Sequence, residues 1–251
     1  MTTVATCAGW EVVDGVPALE PGEVHVWRAS LDAPWLADAA ASRLLSGDEL
    51  ARASRAARDG DRVRRVAARA LLRSVVGAYL GLPPARVELV SGAFGKPHVA
   101  ARGAPPLHVS LAHEGALALV AVCATSAVGV DVTTAALLGD AGSAAAGCCT
   151  PVERRRLAAL PPEDRPTALA RLWARKEACL KATGVGLLGG LAEIDVDAPD
   201  RPVVLRGGDG AGPSESWWPV DLDVGPDHAA AVATAGGRPA VRRLRHPSET
   251  P

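Results

Sequence analysis

Glu177 stands in the segment RLWARKEACLKATGVG, residues 171 to 186, where Trp173, Arg175, Lys176 and Lys181 surround it on what reads as one helix. A carboxylate in that company has two readings. Glu177 and Lys181 are spaced i, i+4 in the orientation that favours a helix ion pair, worth about 0.2 to 0.5 kcal/mol. The other reading leaves the carboxylate free to hold a cation. A second acid, Asp131, lies in the strand-like GVDVT with Thr133 two residues on, so the two side chains share a face. A charge inside such an apolar run is costly unless it is paired or coordinates a cation. Capping a strand end or pairing with an arginine is an equal alternative for Asp131 taken alone.

The third feature is cationic. Between positions 52 and 73 there are eight arginines (52, 55, 58, 62, 64, 65, 69 and 73) against Asp59 and Asp61. Arg62, Arg65, Arg69 and Arg73 follow at intervals of three, four and four, which is one helical stripe. A solvated helix face is the bland explanation. Such faces are usually laced with Glu partners, however, and these are missing here. Guanidinium forks bind phosphate oxygens in pairs, so an unpaired stripe suits a ligand carrying several phosphates. Nucleic acid is disfavoured, because aromatic residues for base stacking and recognisable binding motifs are absent. A compact polyphosphate fits better. Magnesium is commonly held by one or two carboxylates together with substrate phosphates. Asp131, Glu177 and the arginines are therefore the inventory of a metal-assisted phosphoryl-type transferase.

The elements that must position these groups occur twice along the chain. EVHVWRA at 23–29 alternates like a strand, Ser46 and Glu49 form a capping box, and a long helix runs from about Asp61 to Leu80, where Gly81 ends it. RVELV at 86–90 reads as a strand. The second half repeats the order: VGVDV at 128–132, a capping box from Thr150 to Glu153 with Pro151 in the first turn, then a long helix from about Glu163 to Thr183. Strand candidates follow at 193–196 and 202–206. This predicts an α+β fold of two similar subdomains related by a pseudo-twofold axis, residues 1–127 and 128–251, with a ligand cleft between them. Residues 207–216 read as a flexible hairpin loop, and the chain beyond about 240 as a tail.

Composition narrows the class further. The chain has 251 residues, a formal net charge of −1 and 48% hydrophobic residues, which describes a soluble globular protein with no pull toward nucleic acid or membrane. GALALVAVCATSAVGV at 115–130 is too short and too interrupted to span a bilayer and reads as two buried strands. No signal peptide is evident. Five cysteines, odd in number and without C-x-x-C spacing, indicate a reducing cytoplasm and no zinc site. GVGLLG at 184–189 follows a helix and opens none, so it is no dinucleotide fingerprint; Gly184 is better read as the glycine that ends the helix.

With these residues assembled, the chain resembles the 4′-phosphopantetheinyl transferases of the two-subdomain, surfactin-synthetase-activating type. The likeness rests on Gly95-Lys96-Pro97, VSLAH at 109–113, Gly129-Val130-Asp131 and Trp173-x-x-Lys176-Glu177-Ala178-x-x-Lys181, and covers roughly residues 23 to 235. It implies transfer of the phosphopantetheine arm of coenzyme A to a serine of an acyl- or peptidyl-carrier protein, with Mg²⁺ required and adenosine 3′,5′-bisphosphate released. By position it implies that Asp131 and Glu177 ligate the metal, with Thr133 acting through water. Glu177 would also help to deprotonate the acceptor serine, and Lys181 would stabilise the pyrophosphate. Lys96 and His113 would hold the adenosine end and its 3′-phosphate, aided by Arg52 and Arg65. Trp173 and Lys176 are weaker candidates, since a Trp on an amphipathic helix is usually core. Three positions depart from the pattern: Thr133 replaces a second acid, Ala112 a serine and Ser110 an asparagine. The departures keep one alternative open, a catalytically weakened binder of coenzyme A or carrier with the same fold. Both halves of the implied site lie in one chain, so a monomer suffices.

Overall fold

The computed structural model of the chain describes residues 9–55, 58–92, 94–100, 106–184, 190–197, 201–205 and 215–246. Its elements are β1 (Glu11–Val12), β2 (Glu23–Ser30), α1 (Asp38–Ser42), α2 (Gly47–Ala53), α3 (Asp59–Leu80), β3 (Leu89–Ser91), β4 (Pro97–Val99), β5 (His108–Glu114) and β6 (Leu117–Cys123). The second half supplies β7 (Val128–Thr133), α4 (Ala141–Cys148), α5 (Pro151–Ala159), α6 (Arg165–Thr183), β8 (Val203–Leu205), β9 (Glu215–Leu222), β10 (Ala229–Ala235) and β11 (Ala240–Arg245). Both capping boxes form. Ser46 accepts from the Glu49 amide while the Glu49 carboxylate accepts from the Ser46 amide, and Thr150 and Glu153 do the same on α5. Both long helices stop where a glycine takes a left-handed conformation, Gly81 at φ 65° and Gly184 at φ 77°. That conformation is strained for residues with a Cβ.

One sheet has the order β1-β11-β2-β6-β5, a second has β7-β10-β9-β8, and β3 with β4 forms a separate hairpin. The connectivity repeats. β2 pairs antiparallel with β6 and β6 with β5, just as β7 pairs antiparallel with β10 and β10 with β9. The result is an α+β fold in layers. One core lies between α3 and the first sheet, around Leu71, Leu72 and Val120. Another lies between α6 and the second sheet, around Ala178, Cys179 and Ala231. A third joins the two sheets, where Val24, Val26, Leu119 and Ala121 meet Val128, Val130 and Val232. β6 is buried along its whole length, because Leu117, Leu119 and Ala121 face the inter-sheet core while Ala118, Val120 and Val122 face α3. That double burial explains its continuous apolar run.

Three expectations change. The chain beyond 240 is not all tail: β11 lies between β1 and β2 in the first sheet, parallel to both, and Leu244 is fully buried. Its arginine-rich sequence, AVRRLR, hides a single core residue and an entire backbone ladder. Residues 193–196 form no strand; a 3-10 turn at Leu191–Glu193 stands there, its carbonyls directed to a buried lysine described below. The strand expected at 86–90 is shortened to β3 by a preceding 3-10 turn, Pro84–Arg86. The loop expected at 207–216 lies mostly outside the described residues, as does GVGLLG beyond Gly184. No helix among the described residues is long and apolar enough to cross a membrane.

Candidate active site

β7 and α6 carry the centre of the site, and a glycine sets their separation. Val128, Val130 and Val132 point from β7 into the inter-sheet core, leaving Gly129, Asp131 and Thr133 on the face under α6. A Cβ at Gly129 would lie 2.0 Å from the Ala178 carbonyl oxygen and 2.4 Å from the Ala182 nitrogen. Only glycine admits so close a helix, and the alanines opposite complete the contact. At this distance Lys181 Nζ reaches Asp131 Oδ1 at 2.6 Å. Lys181 therefore crosses to the strand, and the i, i+4 pair with Glu177 that the helix spacing offers is not made.

The oxygens left over define the site. Asp131 Oδ2, Thr133 Oγ1 and Glu177 Oε1 are buried and have no hydrogen-bond partner. Burial raises the Asp131 carboxyl above its ordinary range, opposed by Lys181. Burial also lifts Glu177, with the neighbouring Asp131 charge adding to it and Lys181 opposing, to about 7. Orphaned buried oxygens are expensive unless something else fills the site. Two carboxylates and a hydroxyl, all hard oxygen donors, fit Mg²⁺, which takes one or two protein carboxylates and draws its other ligands from substrate phosphates and water. No group of three or more His, Cys, Asp or Glu side chains is placed to hold a metal among the described residues, so a protein-only cage of the zinc kind is not offered.

His113, near the end of β5, borders this centre. Burial holds its imidazole below the ordinary value, and the nearby cations Lys181, Arg65 and Arg64 push the same way. An imidazole in that field sits where an anion would be welcome. Arg65 on α3 and Arg52 on α2 are exposed and make no ion pair with described residues. The rest of the arginine stripe is accounted for differently. Arg62 makes a two-pronged pair with Asp38 of α1, and Arg69 and Arg73 both grip Glu49 of α2, at 2.5 and 2.7 Å. Arg73 is buried and also donates to the Pro84 and Val87 carbonyls. The acidic partners missing from the helix itself come from other helices, so this stripe is not a phosphate cradle as a whole. Arg65 is the one member left free among the described residues, and Arg64, which the stripe omits, lies in the His113 neighbourhood.

Lys176 and Arg175, neighbours of Glu177 in sequence, point elsewhere. Lys176 is 0% exposed; its ammonium lies within hydrogen-bond distance of the Glu153 carboxylate at 2.6 Å and the carbonyls of Cys148, Leu191 and Ile194. Arg175 forks onto Asp221. Trp173 packs against the core under α6. Glu153 is the residue that the spacing argument passed over. It was visible as a cap, but nothing local marked its Oε1 as the acceptor for the Val196 amide or its capping Oε2 as the acceptor for Lys176. Lys96, expected at the adenosine end of the ligand, donates to the backbone carbonyls of Ala182 at 2.6 Å and Val128 at 3.2 Å. It also lines, with Phe94, Pro97, Ser110, Leu180 and Lys181, an open pocket of about 470 Å³.

A scan of family models matches residues 127–233 to the 4′-phosphopantetheinyl transferase superfamily. Among curated proteins, the 4′-phosphopantetheinyl transferase HetI of Nostoc sp. is 38% identical over 218 residues, covering 85% of this chain and 88% of that protein. A phosphopantetheinyl transferase of Thraustochytrium sp. is 29% identical over 247 residues, covering 89% of this chain and 85% of the other. Fold, site and relatives define an enzyme of the transferase class. The chain belongs to the 4′-phosphopantetheinyl transferase superfamily.

Proposed function

We propose that this enzyme transfers the phosphopantetheine arm of coenzyme A to a serine hydroxyl of an acyl- or peptidyl-carrier protein, in a Mg²⁺-dependent reaction. The serine oxygen would bond to the phosphorus that bears the pantetheine. The bond from that phosphorus to the bridging pyrophosphate oxygen would break, releasing adenosine 3′,5′-bisphosphate. The observation that carries the reading is the trio of orphaned oxygens on Asp131, Thr133 and Glu177 beside Lys181.

Asp131 and Glu177 would hold the metal, with Thr133 orienting a water on it. Bound there, Mg²⁺ supplies neutralisation of charge on the pyrophosphate. Glu177, raised to about 7, is poised to accept the serine proton near neutral pH. Lys181, fixed by Asp131, offers a positive charge where the leaving oxygen develops negative charge. Arg65, Arg64, His113 and Arg52 form a cationic flank for the remaining phosphates. The test is intact-mass spectrometry of an apo carrier protein incubated with the enzyme, coenzyme A and Mg²⁺. One added phosphopantetheine arm, abolished by EDTA, is the expected result. Retained coenzyme A binding with no gain on any carrier would instead establish the weakened binder that Thr133 and Ala112 leave open.

A further inference from the structure

β7 is an edge strand. It pairs with β10 on one side only, and on the other side it lies beside β5, itself the edge of the first sheet. Strand-to-strand bonds are not made across that seam. In an antiparallel ladder alternate residues direct their N–H and C=O to opposite edges. Val128 and Val130, two apart, therefore present groups to the same edge. Both are taken by side chains of the first half: the Val130 N–H donates to Ser110 Oγ at 3.1 Å, and the Val128 carbonyl accepts from Lys96 Nζ. Ser110 is buried. The same ammonium holds the carbonyl of Ala182, one of the last-turn carbonyls of α6 that the helix cannot satisfy itself.

We propose that Lys96 and Ser110 are positioning residues that suture the free edge of β7 and the end of α6 to the first half, and so set the Asp131–Lys181 pair relative to the His113 side of the site. Lys96 links the hairpin turn between β3 and β4 to the strand bearing Asp131, three residues from Val128, and to the helix bearing Lys181, next to Ala182. Gly95 makes its approach feasible, at φ 81° in a turn closed by the Gly92 amide donating to the Lys96 carbonyl. Burial pushes the Lys96 ammonium down to about 8, as expected for a lysine enclosed by carbonyls with no carboxylate alongside. Two of its three hydrogens are committed to backbone.

The kinetic arm of the test rests on the transferase reading; the exchange arm does not. In Lys96→Met and Ser110→Ala, amide hydrogen exchange across residues 128–133 is expected to accelerate by roughly tenfold or more, a local opening that global unfolding does not mimic if the first-sheet amides keep their protection. Turnover is expected to fall on the order of 10- to 100-fold, by the same factor for coenzyme A and 3′-dephospho-coenzyme A, with any weakening of binding shared equally by the two. Ser110→Ala removes only a hydroxyl and keeps the test readable if Lys96→Met does not fold. Two results would overturn the proposal. One is unaltered exchange in both variants. The other is a loss in Lys96→Met confined to coenzyme A binding and absent with the dephospho compound, which would make Lys96 a phosphate ligand. A parent enzyme without transferase activity would sink the functional reading while leaving the exchange result standing.

Discussion

Glu177 and Lys176 are adjacent, yet they meet different environments. Lys176 is wholly enclosed and satisfied by Glu153 and backbone carbonyls, whereas Glu177 keeps a buried oxygen with no partner. Replacing Glu177 by Gln removes the proton acceptor and one negative charge from the proposed metal site. Turnover is expected to drop by about 10² to 10⁴, with the carrier dissociation constant little changed. The sign of the pH dependence follows from the raised carboxyl. Below about 7 the metal-free Glu177 is protonated and can neither hold a cation nor accept a proton, so Mg²⁺ affinity, and with it kcat/KM at subsaturating Mg²⁺, should rise with pH through that region. A Mg²⁺ affinity unchanged from pH 6 to 8 would remove Glu177 from the site.

At the scale of elements, each long helix is tied to its short neighbour by a capping-box glutamate. Glu49 of α2 holds Arg69 and Arg73 of α3, while Glu153 of α5 holds Lys176 of α6; Arg73 and Lys176 also both collect carbonyls from the chain that follows their helix. The same device appears in both halves, but only the second carries the acids of the site. Where β7 has Gly129 and Asp131, β2 has His25 and Trp27, both bonded to Tyr79 of α3. Because the Glu23 carboxylate accepts from His25 Nε2–H, Nδ1 of the neutral imidazole accepts from the Tyr79 hydroxyl, whose oxygen accepts from the Trp27 indole. A buried ion pair broken on one side leaves a naked charge. Lys176→Met is thus expected to cost about 3 to 5 kcal/mol in urea unfolding, and Lys176→Met with Glu153→Leu less than the sum of the two single changes. Additive losses would show that the pair is not what holds the charges. Gly129→Ala should destabilise by at least about 1 to 3 kcal/mol and lower activity, since α6 must withdraw from β7 and take Lys181 away from Asp131. Unchanged melting and turnover would refute the close-approach argument.

For the whole molecule, the chain closes on itself. β11 is added to the first sheet by the C-terminal segment, so the two halves are joined by the 124–127 connection, by the inter-sheet core and by a strand contributed from the far end. Truncation after Pro239 would strip β11 from between β1 and β2, expose the β2 edge and leave Leu244's place empty. The truncated chain is expected to lose cooperative unfolding in circular dichroism and to aggregate. A truncated protein that melts like the parent would mean that β11 is dispensable.

Much of this was legible in order along the chain. Capping boxes, terminating glycines and the alternation of GVDVT are local effects, governed by residues within four positions of one another, and sequence alone located α2, α3, α5, α6 and β7 closely. Asp131 and Glu177 were nominated by residue type and local pattern beside the arginines, and the family likeness rested on four motifs in order, Gly95-Lys96-Pro97, VSLAH, Gly129-Val130-Asp131 and the run from Trp173 to Lys181. What sequence could not supply were contacts between residues distant in the chain. Arg69 and Arg73 looked free because Glu49 lies 20 and 24 residues away, and Lys181 looked like a partner of Glu177 because nothing local announces Asp131, 50 residues back. Lys96 was placed by the family likeness alone, and nothing local announced its contact with Ala182, 86 residues away. Residue type and short-range periodicity decided which elements form and which side chains could do chemistry. Only the tertiary structure decided which charges are neutralised within the protein and which remain for a ligand, because burial and ion pairing depend on surfaces that meet only when the chain is folded.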